Sequence, residues 1–124
     1  LKASGFASLP PAFDPAIDQF CVMLATEQGK IWSDCLPAGS LVAKGNTLKY
    51  KDNTAKNIGG FAKVNLRMYA TKMKFVIQAY GDMTGACPVG EMGLQTTYGE
   101  FNIFFHVLWT QNKGGCKAHF QLEL

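Results

Sequence analysis

The chain carries few charged residues for its length. Asp, Glu, Lys and Arg make up 17% of its 124 residues, while hydrophobic residues make up 48%. The usual charged share is about 25%, and a disordered chain needs high charge with few apolar side chains. The 12 basic and 9 acidic residues give a net charge of +3 and are scattered along the sequence. A nucleic-acid binder concentrates positive charge on one face, so we expect no nucleic-acid partner.

Long apolar runs and catalytic signatures are also missing. No stretch of 18 apolar residues occurs, so we expect no membrane-spanning helix. The sequence contains neither a Gly-x-Ser-x-Gly elbow nor a His-Glu-x-x-His motif. Its acidic residues are widely spread, and a carboxylate pair for glycoside hydrolysis could only assemble from separate strands. These observations predict a protein that is not an enzyme and needs no cofactor.

The four cysteines are Cys21, Cys35, Cys87 and Cys116. Their even number, without any Cys-x-x-Cys pair, argues against a zinc ribbon or a thioredoxin-like centre. Three pairings are possible. We favour two disulfides, Cys21–Cys35 and Cys87–Cys116, over free thiols in a cytosolic protein. Disulfides indicate export, and a first residue that is leucine fits a removed signal peptide. The expected location is extracellular or periplasmic.

Alternation of apolar and polar residues predicts an all-β fold. Residues 62–69 place Val64 and Leu66 on one face and Lys63 and Arg67 on the other, and residues 72–80 repeat this period of two. Residues 18–26 form an apolar run of strand length, followed by a short strand at 30–33. A further strand contains Leu48 and Tyr50. With the two strands at 101–110 and 116–124, the total is about seven, which predicts an antiparallel β-sandwich, with a jelly roll as a related arrangement.

The ends of the chain suggest two further features. Residues 1–15 are rich in small residues and proline, so they are expected to form an extended N-terminal arm outside a single sandwich domain at 16–124. The last two strands are expected to pair as a hairpin. One register sets His106 opposite His119, within reach of a shared metal ion, and the neighbouring register sets His106 opposite Gln121. Two ligands make only a partial site, and we predict solvated surface histidines and no metal.

Exposed aromatic residues are the candidates for ligand binding. Tyr80 ends a strand and points away from the apolar face, while Trp32 and Tyr98 lie near turns. Such rings can stack against the C–H face of a sugar, although packing in the core would explain them too. Lysines 49, 51, 63, 72 and 74 form a mildly basic outward face. We predict that they keep the sheet soluble and its edges unpaired; the alternative is a surface for an anionic partner.

Two segments carry a resemblance to known sequences. One is LPAGSLVAKGNTLKYKD at 36–52, followed by Gly59-Gly60 and a lysine-rich strand, and the other is FNIFFHVLWTQNKGGCK at 101–117. Together they resemble uncharacterised secreted bacterial proteins, in which an aromatic-lysine strand, a Gly-Gly turn and an aromatic strand with a terminal tryptophan follow one another. The resemblance covers about half of the chain and implies an exported β-rich module without a known activity.

These patterns favour recognition over chemistry. We predict a secreted, non-catalytic structural or accessory subunit that acts by protein–protein interaction in an extracellular or cell-surface assembly. Its partner would be another protein or a second copy of the chain, docked through residues 1–15 or through an edge strand. The alternative is a carbohydrate-binding module that uses Trp32, Tyr80 and Tyr98, with a glycan as its ligand.

Overall fold

The computed structural model of the chain describes residues 1–27, 29–81, 91–108 and 119–122. These residues form ten strands and one short helix. The elements, in chain order, are β1 (Lys2–Ala7), β2 (Phe20–Thr26), β3 (Gly29–Leu36), β4 (Val42–Lys44), β5 (Thr47–Lys51), α1 (Ala55–Ile58), β6 (Gly60–Met68), β7 (Met73–Tyr80), β8 (Glu91–Tyr98), β9 (Phe101–Leu108) and β10 (His119–Leu122).

The strands build two sheets that share one apolar core. The six-stranded sheet has the order β10-β1-β7-β6-β5-β4, and the four-stranded sheet has the order β3-β2-β8-β9. Aromatic pairs join the two layers: Phe20 of β2 lies 6.0 Å from Phe61 of β6, and Phe75 of β7 lies 5.2 Å from Phe105 of β9, measured between ring centroids. The predicted all-β sandwich is therefore confirmed, with most strand pairs antiparallel.

The alternation of side chains explains how the core forms. Val64 and Leu66 on β6, and Phe75 and Ile77 on β7, are almost completely buried, and the residues between them, Asn65 and Val76, face outward. The two strands pair antiparallel, with Met68 opposite Met73 next to the turn that joins them. Burying a side chain of this size contributes about 1.5–3 kcal/mol, so the period of two determines which face of the sheet turns inward.

The first predicted disulfide is present and the second lies outside the described residues. Cys21 and Cys35 occupy directly opposite positions on β2 and β3, and their sulfurs are bonded. The cross-link joins the two strands on the outer side of the four-stranded sheet, because their neighbours Phe20 and Leu36 point into the core. Cys87 and Cys116 are not among the described residues, so their pairing stays a prediction.

The prediction of an extended N-terminal arm at residues 1–15 is wrong for residues 2–7. Residues 2–7 form β1, which lies inside the six-stranded sheet, antiparallel to β7 and parallel to β10. Ala3 and Ala7 are buried, and the amino group of Leu1 donates a hydrogen bond to the Ala79 carbonyl at 2.8 Å. The small side chains on which the prediction of an arm rests fit here because Ala3 and Ala7 of β1 lie in the core between the two sheets.

The expected C-terminal hairpin is also wrong. β9 pairs with β8 in the four-stranded sheet, whereas β10 pairs with β1 in the six-stranded sheet. His106 is opposite Gly93, and His119 is opposite Lys2. The two histidines therefore belong to different sheets, and His106 is opposite neither His119 nor Gln121, the partners that the two predicted registers gave it.

Candidate functional site

Tyr98, one of the three predicted binding residues, belongs to the core. Its side chain is 1% exposed and contacts Phe20 at 5.3 Å and Phe13 at 5.5 Å between ring centroids. Its hydroxyl and that of Thr96 have no hydrogen-bond partner within the described part of the chain. Burial raises the pKa of the Tyr98 hydroxyl well above its usual range, and the nearby Thr96 hydroxyl offsets this only partly. Tyr98 cannot serve as a stacking platform.

The structure brings Trp32 and Tyr80 to the same rim of the sandwich. The indole of Trp32 packs edge-on against Phe61, 5.7 Å between centroids, and covers Gly81, the residue after Tyr80. A Cβ atom at Gly81 would lie 2.5 Å from Nε1 of Trp32. Tyr80 faces outward from β7, and its hydroxyl accepts a hydrogen bond from Nε2 of Gln78 at 3.0 Å. Both rings are half-buried.

A carboxylate lies close to these rings. Asp34 on β3 accepts a hydrogen bond from the backbone N–H of Cys35 at 2.8 Å. Its other oxygen lies 3.3 Å from the position that a Cβ would take at Gly60, which is opposite Tyr80 in the sheet. Gly60 has a φ of +94°, a conformation that glycine adopts at little cost. Within the described ranges, no group of three or more His, Cys, Asp or Glu side chains could hold a metal ion.

The outer surface of the four-stranded sheet is uncharged along its central positions. Phe104 on β9 is 62% exposed, and its ring lies across Gly93 of β8, where a Cβ would meet it at 2.5 Å. Next to it, the hydroxyl of Thr97 donates a hydrogen bond to Oδ1 of Asn102 at 2.7 Å. We call this surface the neutral face; its outward residues are Cys21, Met23, Ser33, Cys35, Gly93, Gln95, Thr97, Asn102 and Phe104.

The outer surface of the six-stranded sheet has the opposite character. Its exposed strand residues include six cations and no acid among the side chains that the structure describes, and we call this surface the basic face: Lys44, Lys49, Lys51, Lys63, Arg67 and Lys74. Basic residues that are scattered in the sequence are thus collected on one side. At its edge, Nζ of Lys72 lies 4.2 Å from the ring centroid of Phe6.

Sequence reasoning missed parts of both faces. The basic face was expected from its lysines, but Lys44 and Arg67 were left out of it. Phe104 was not among the predicted binding residues. The alternation of β9 does place it outward, because Phe101, Ile103 and Phe105 occupy the inward positions on either side of it. The neutral face depends on the pairing of β8 with β2 and β9, and β8 was not predicted.

Comparisons with known proteins found no match for this chain. No protein-family model matches the chain, and neither a curated protein nor a solved structure matches it. Among the described residues, no helix has the length and apolar character needed to cross a membrane.

Proposed function

We propose that this chain is a non-catalytic, exported accessory subunit that binds another protein through its neutral face. The observation that carries the proposal is the exposed ring of Phe104 on a surface without charge at its central positions. Charged residues are depleted at the centre of protein interfaces, where aromatic residues and methionine are enriched. The disulfide between Cys21 and Cys35 supports an oxidising compartment, such as the periplasm or the exterior of a cell.

Phe104 is accompanied on the neutral face by other apolar groups. Phe104, Met23 and the disulfide lie on the outward side of four adjacent strands, and hydroxyl and amide groups surround them. This resembles the composition of an interface, an apolar centre with a polar rim. Phe104 would enter a pocket of the partner, because exposed aromatic side chains are the residues that most often dominate binding energy.

Replacing Phe104 tests the protein-binding proposal. The tagged chain is recovered under mild conditions from the organism that makes it, and its mass is measured by size-exclusion chromatography with light scattering. We expect a complex larger than the 13.5 kDa chain, and its loss in Phe104→Glu. Ile58→Glu is the control, since Ile58 is 75% exposed at the end of α1 and away from the neutral face.

The outcomes separate the possible partners. A mass that is a multiple of the single chain identifies the partner as a second copy, and a different mass identifies another protein; both support the proposal if Phe104→Glu abolishes them. A wild-type chain that runs alone, or a complex that Phe104→Glu leaves intact, overturns it.

A carbohydrate-binding module is the second candidate, supported by the position of Trp32 and Tyr80 on one rim. Their half-buried rings would stack on a neutral sugar, without a need for charge. Affinity gels with neutral polysaccharides test this function, with Trp32→Ala and Tyr80→Ala expected to abolish retardation. Tyr69→Ala is the control, because Tyr69 is an exposed tyrosine in the β6–β7 turn. Absence of retardation across common neutral polysaccharides would remove this candidate.

A further inference from the structure

The charge distribution of the six-stranded sheet is one-sided. Its strands contain no aspartate or glutamate anywhere in their described ranges, although the whole chain has 9 acidic residues. Every cation of the basic face is exposed, and no ion pair joins any of them to another described residue. A surface whose only task is to stay soluble usually mixes both signs, so this face carries more positive charge than solubility requires.

Two pairs of like charges lie directly opposite each other across neighbouring strands. Lys51 of β5 faces Lys63 of β6, and Arg67 of β6 faces Lys74 of β7. Directly opposite side chains have Cβ atoms about 5 Å apart, where like charges destabilise a sheet and opposite charges stabilise it. A single acidic residue in either pair would relieve the repulsion. The arrangement indicates that the positive charge serves a partner and not the fold.

The cations form a band across the sheet. Neighbouring strands are about 4.8 Å apart and alternate residues along a strand about 6.7 Å apart. In the register of the sheet, Lys51 and Lys63 form one row, and Arg67 and Lys74 form a row two steps further on, about 13 Å away. Lys49 lies between the rows. The six cations, from Lys44 on β4 to Lys74 on β7, thus occupy an area about 13 Å along the strands and three strand spacings, about 14 Å, across, where a linear chain with regularly spaced negative charges can contact several of them at once.

Neutral side chains occupy the positions between the cations, some of them polar and two of them apolar, Val42 and Val76. Thr47 shares the row of Arg67, Asn65 is opposite Lys49, and Gln78 is opposite Lys63. Hydroxyl and amide groups both donate and accept hydrogen bonds, and they therefore suit a ligand rich in hydroxyl groups. Nucleic-acid bases need a row of stacking rings or a groove reader, and Phe6, opposite Lys74, is a single half-buried ring at one end of the cations. A lipid surface would call for a group of exposed apolar side chains, whereas Val42, opposite Lys49, is the one strongly exposed apolar residue among the described positions of this face.

We propose that the basic face binds an acidic polysaccharide, a linear sugar polymer that carries carboxylate or sulfate groups. The carboxylates or sulfates would pair with the lysines and Arg67, and the sugar hydroxyls would bind Thr47, Asn65 and Gln78. This binding goes beyond the protein contact proposed above, because it uses the opposite side of the sandwich and leaves the neutral face free. It does not require Trp32, whereas Tyr80 borders the site, because its hydroxyl accepts a hydrogen bond from Gln78.

The test measures binding of the full chain to sodium alginate, a uronic-acid polymer, by calorimetry at low salt. Charge reversal with Lys63→Glu or Lys74→Glu should weaken binding about tenfold each, since a lost attraction becomes a repulsion. Lys30→Glu is the matched control: Lys30 is an exposed lysine on β3 of the other sheet, and its reversal changes the net charge equally. We expect it to leave the affinity within about twofold.

The variants on the basic face should fold at least as well as the wild type. Lys63→Glu places a carboxylate opposite Lys51, and Lys74→Glu places one opposite Arg67, so both replace a repulsive pair with an attractive one. A thermal melt at or above that of the wild type then shows that weaker binding reflects lost contacts. Should either variant fail to fold, Asn65→Asp tests the same site by adding a negative charge within the band.

Three results would overturn the inference. Affinity for alginate that Lys63→Glu and Lys74→Glu leave unchanged would show that the basic face is not the site. Equal affinity for polyphosphate, a polyanion without hydroxyl groups, would reduce the face to a simple cation exchanger. Preferential binding to phosphatidylglycerol vesicles or to single-stranded DNA would assign the face to a membrane or a nucleic acid. The inference is supported if alginate binds more tightly than polyphosphate, phosphatidylglycerol vesicles and single-stranded DNA do, if salt weakens this binding, and if Lys63→Glu and Lys74→Glu weaken it too.

Discussion

Tyr98 shows how a buried polar atom marks a place where the fold is not optimal. Its ring fills the space between Phe13 and Phe20, whereas its hydroxyl finds no hydrogen-bond partner in the described residues. An unsatisfied buried hydroxyl costs about 1–3 kcal/mol. The apolar body of the residue therefore stabilises the core while its oxygen weakens it.

We expect Tyr98→Phe to raise the free energy of unfolding by about 1 kcal/mol, because the ring stays and the unpaired hydroxyl is removed. Chemical denaturation at pH 7 measures this. Thr96→Val provides the parallel case, since Thr96 is buried with a hydroxyl that also lacks a partner among the described residues. A loss of more than 1 kcal/mol in Tyr98→Phe would show that the hydroxyl is satisfied in solution.

The same residue predicts an alkaline dependence of stability. Burial raises the pKa of Tyr98 in the folded state above its unfolded value of about 10. The unfolded chain then loses this proton above pH 10 while the folded chain retains it, so the free energy of unfolding is unaffected by this titration below pH 10 and falls as pH rises above it. The wild type should lose up to about 1.4 kcal/mol per pH unit relative to Tyr98→Phe in this range. Parallel curves would contradict this.

At the scale of elements, β1 is an inner strand of the six-stranded sheet. It lies between β7 and β10, so both edges of its backbone are engaged, and a proline inside it removes a hydrogen-bond donor from the ladder. Ser4→Pro should therefore lower the free energy of unfolding by about 1–3 kcal/mol, the cost of a ladder carbonyl that loses its hydrogen-bond donor. Ser8→Pro, one residue beyond the strand, should cost far less. Equal melting temperatures for the two variants would show that β1 is dispensable.

The disulfide between Cys21 and Cys35 ties β2 to an edge strand. The two cysteines are 14 residues apart, and a loop of that size contributes about 3 kcal/mol in the loop-entropy description. The double variant Cys21→Ala/Cys35→Ala should lose about 2–3 kcal/mol, measured by guanidinium denaturation. Substitution is preferable to a reducing agent, which would also reduce a Cys87–Cys116 bond. An unchanged midpoint would indicate that the β2–β3 pairing holds without the bond.

The strands that the sequence reveals are those with a clear alternation. β6 and β7 were predicted with their buried faces because apolar residues recur at every second position there, with Val76 the one apolar residue that interrupts the outward polar positions of β7 around Lys74 and Gln78. β1 and β8 were missed: Gly5 interrupts the first, and β8 has Gly93 together with Thr96 and Thr97 where an apolar strand would have larger residues. β4 has only three residues, too few to show a period.

Pairing between strands that are distant in the chain determines which residues meet at the candidate site, and this pairing cannot be read from a single sequence. The alternation correctly placed Lys63, Arg67 and Lys74 outward, which is why the basic face was partly foreseen. The burial of Tyr98 depends on Phe13 and Phe20, residues far away in the chain. For the same reason the C-terminal hairpin was wrong, because β10 finds its neighbour at the other end of the sequence.

For the molecule as a whole, the two outer faces differ in charge. The net charge of +3 is modest, but the cations gather over the six-stranded sheet and the neutral face bears none at its central positions. A sandwich with unlike faces can hold two partners at once. The proposed protein contact and the proposed polysaccharide contact would then link a subunit to a charged sugar matrix.

The concentration of positive charge also predicts how salt acts on stability. At low ionic strength the two charges within each of the pairs Lys51–Lys63 and Arg67–Lys74 repel each other, and 0.3 M sodium chloride shortens the screening length to about 6 Å, which weakens this repulsion. The melting temperature of the wild type should therefore rise with sodium chloride. Lys63→Glu should gain about 0.5–1 kcal/mol at low salt and show a flatter dependence, because one repulsive pair has become attractive.

Lys30→Glu distinguishes a local effect from one of net charge. It changes the total charge by the same amount as Lys63→Glu, but Lys30 is opposite Ala25 on β2 and has no cation across the strand. Its melting curve should follow that of the wild type at every salt concentration. If Lys30→Glu stabilises the chain as much as Lys63→Glu does, the stabilisation comes from the lower net charge of the chain and not from the relief of one local repulsion. The close pairs on the basic face would then have no special role in stability.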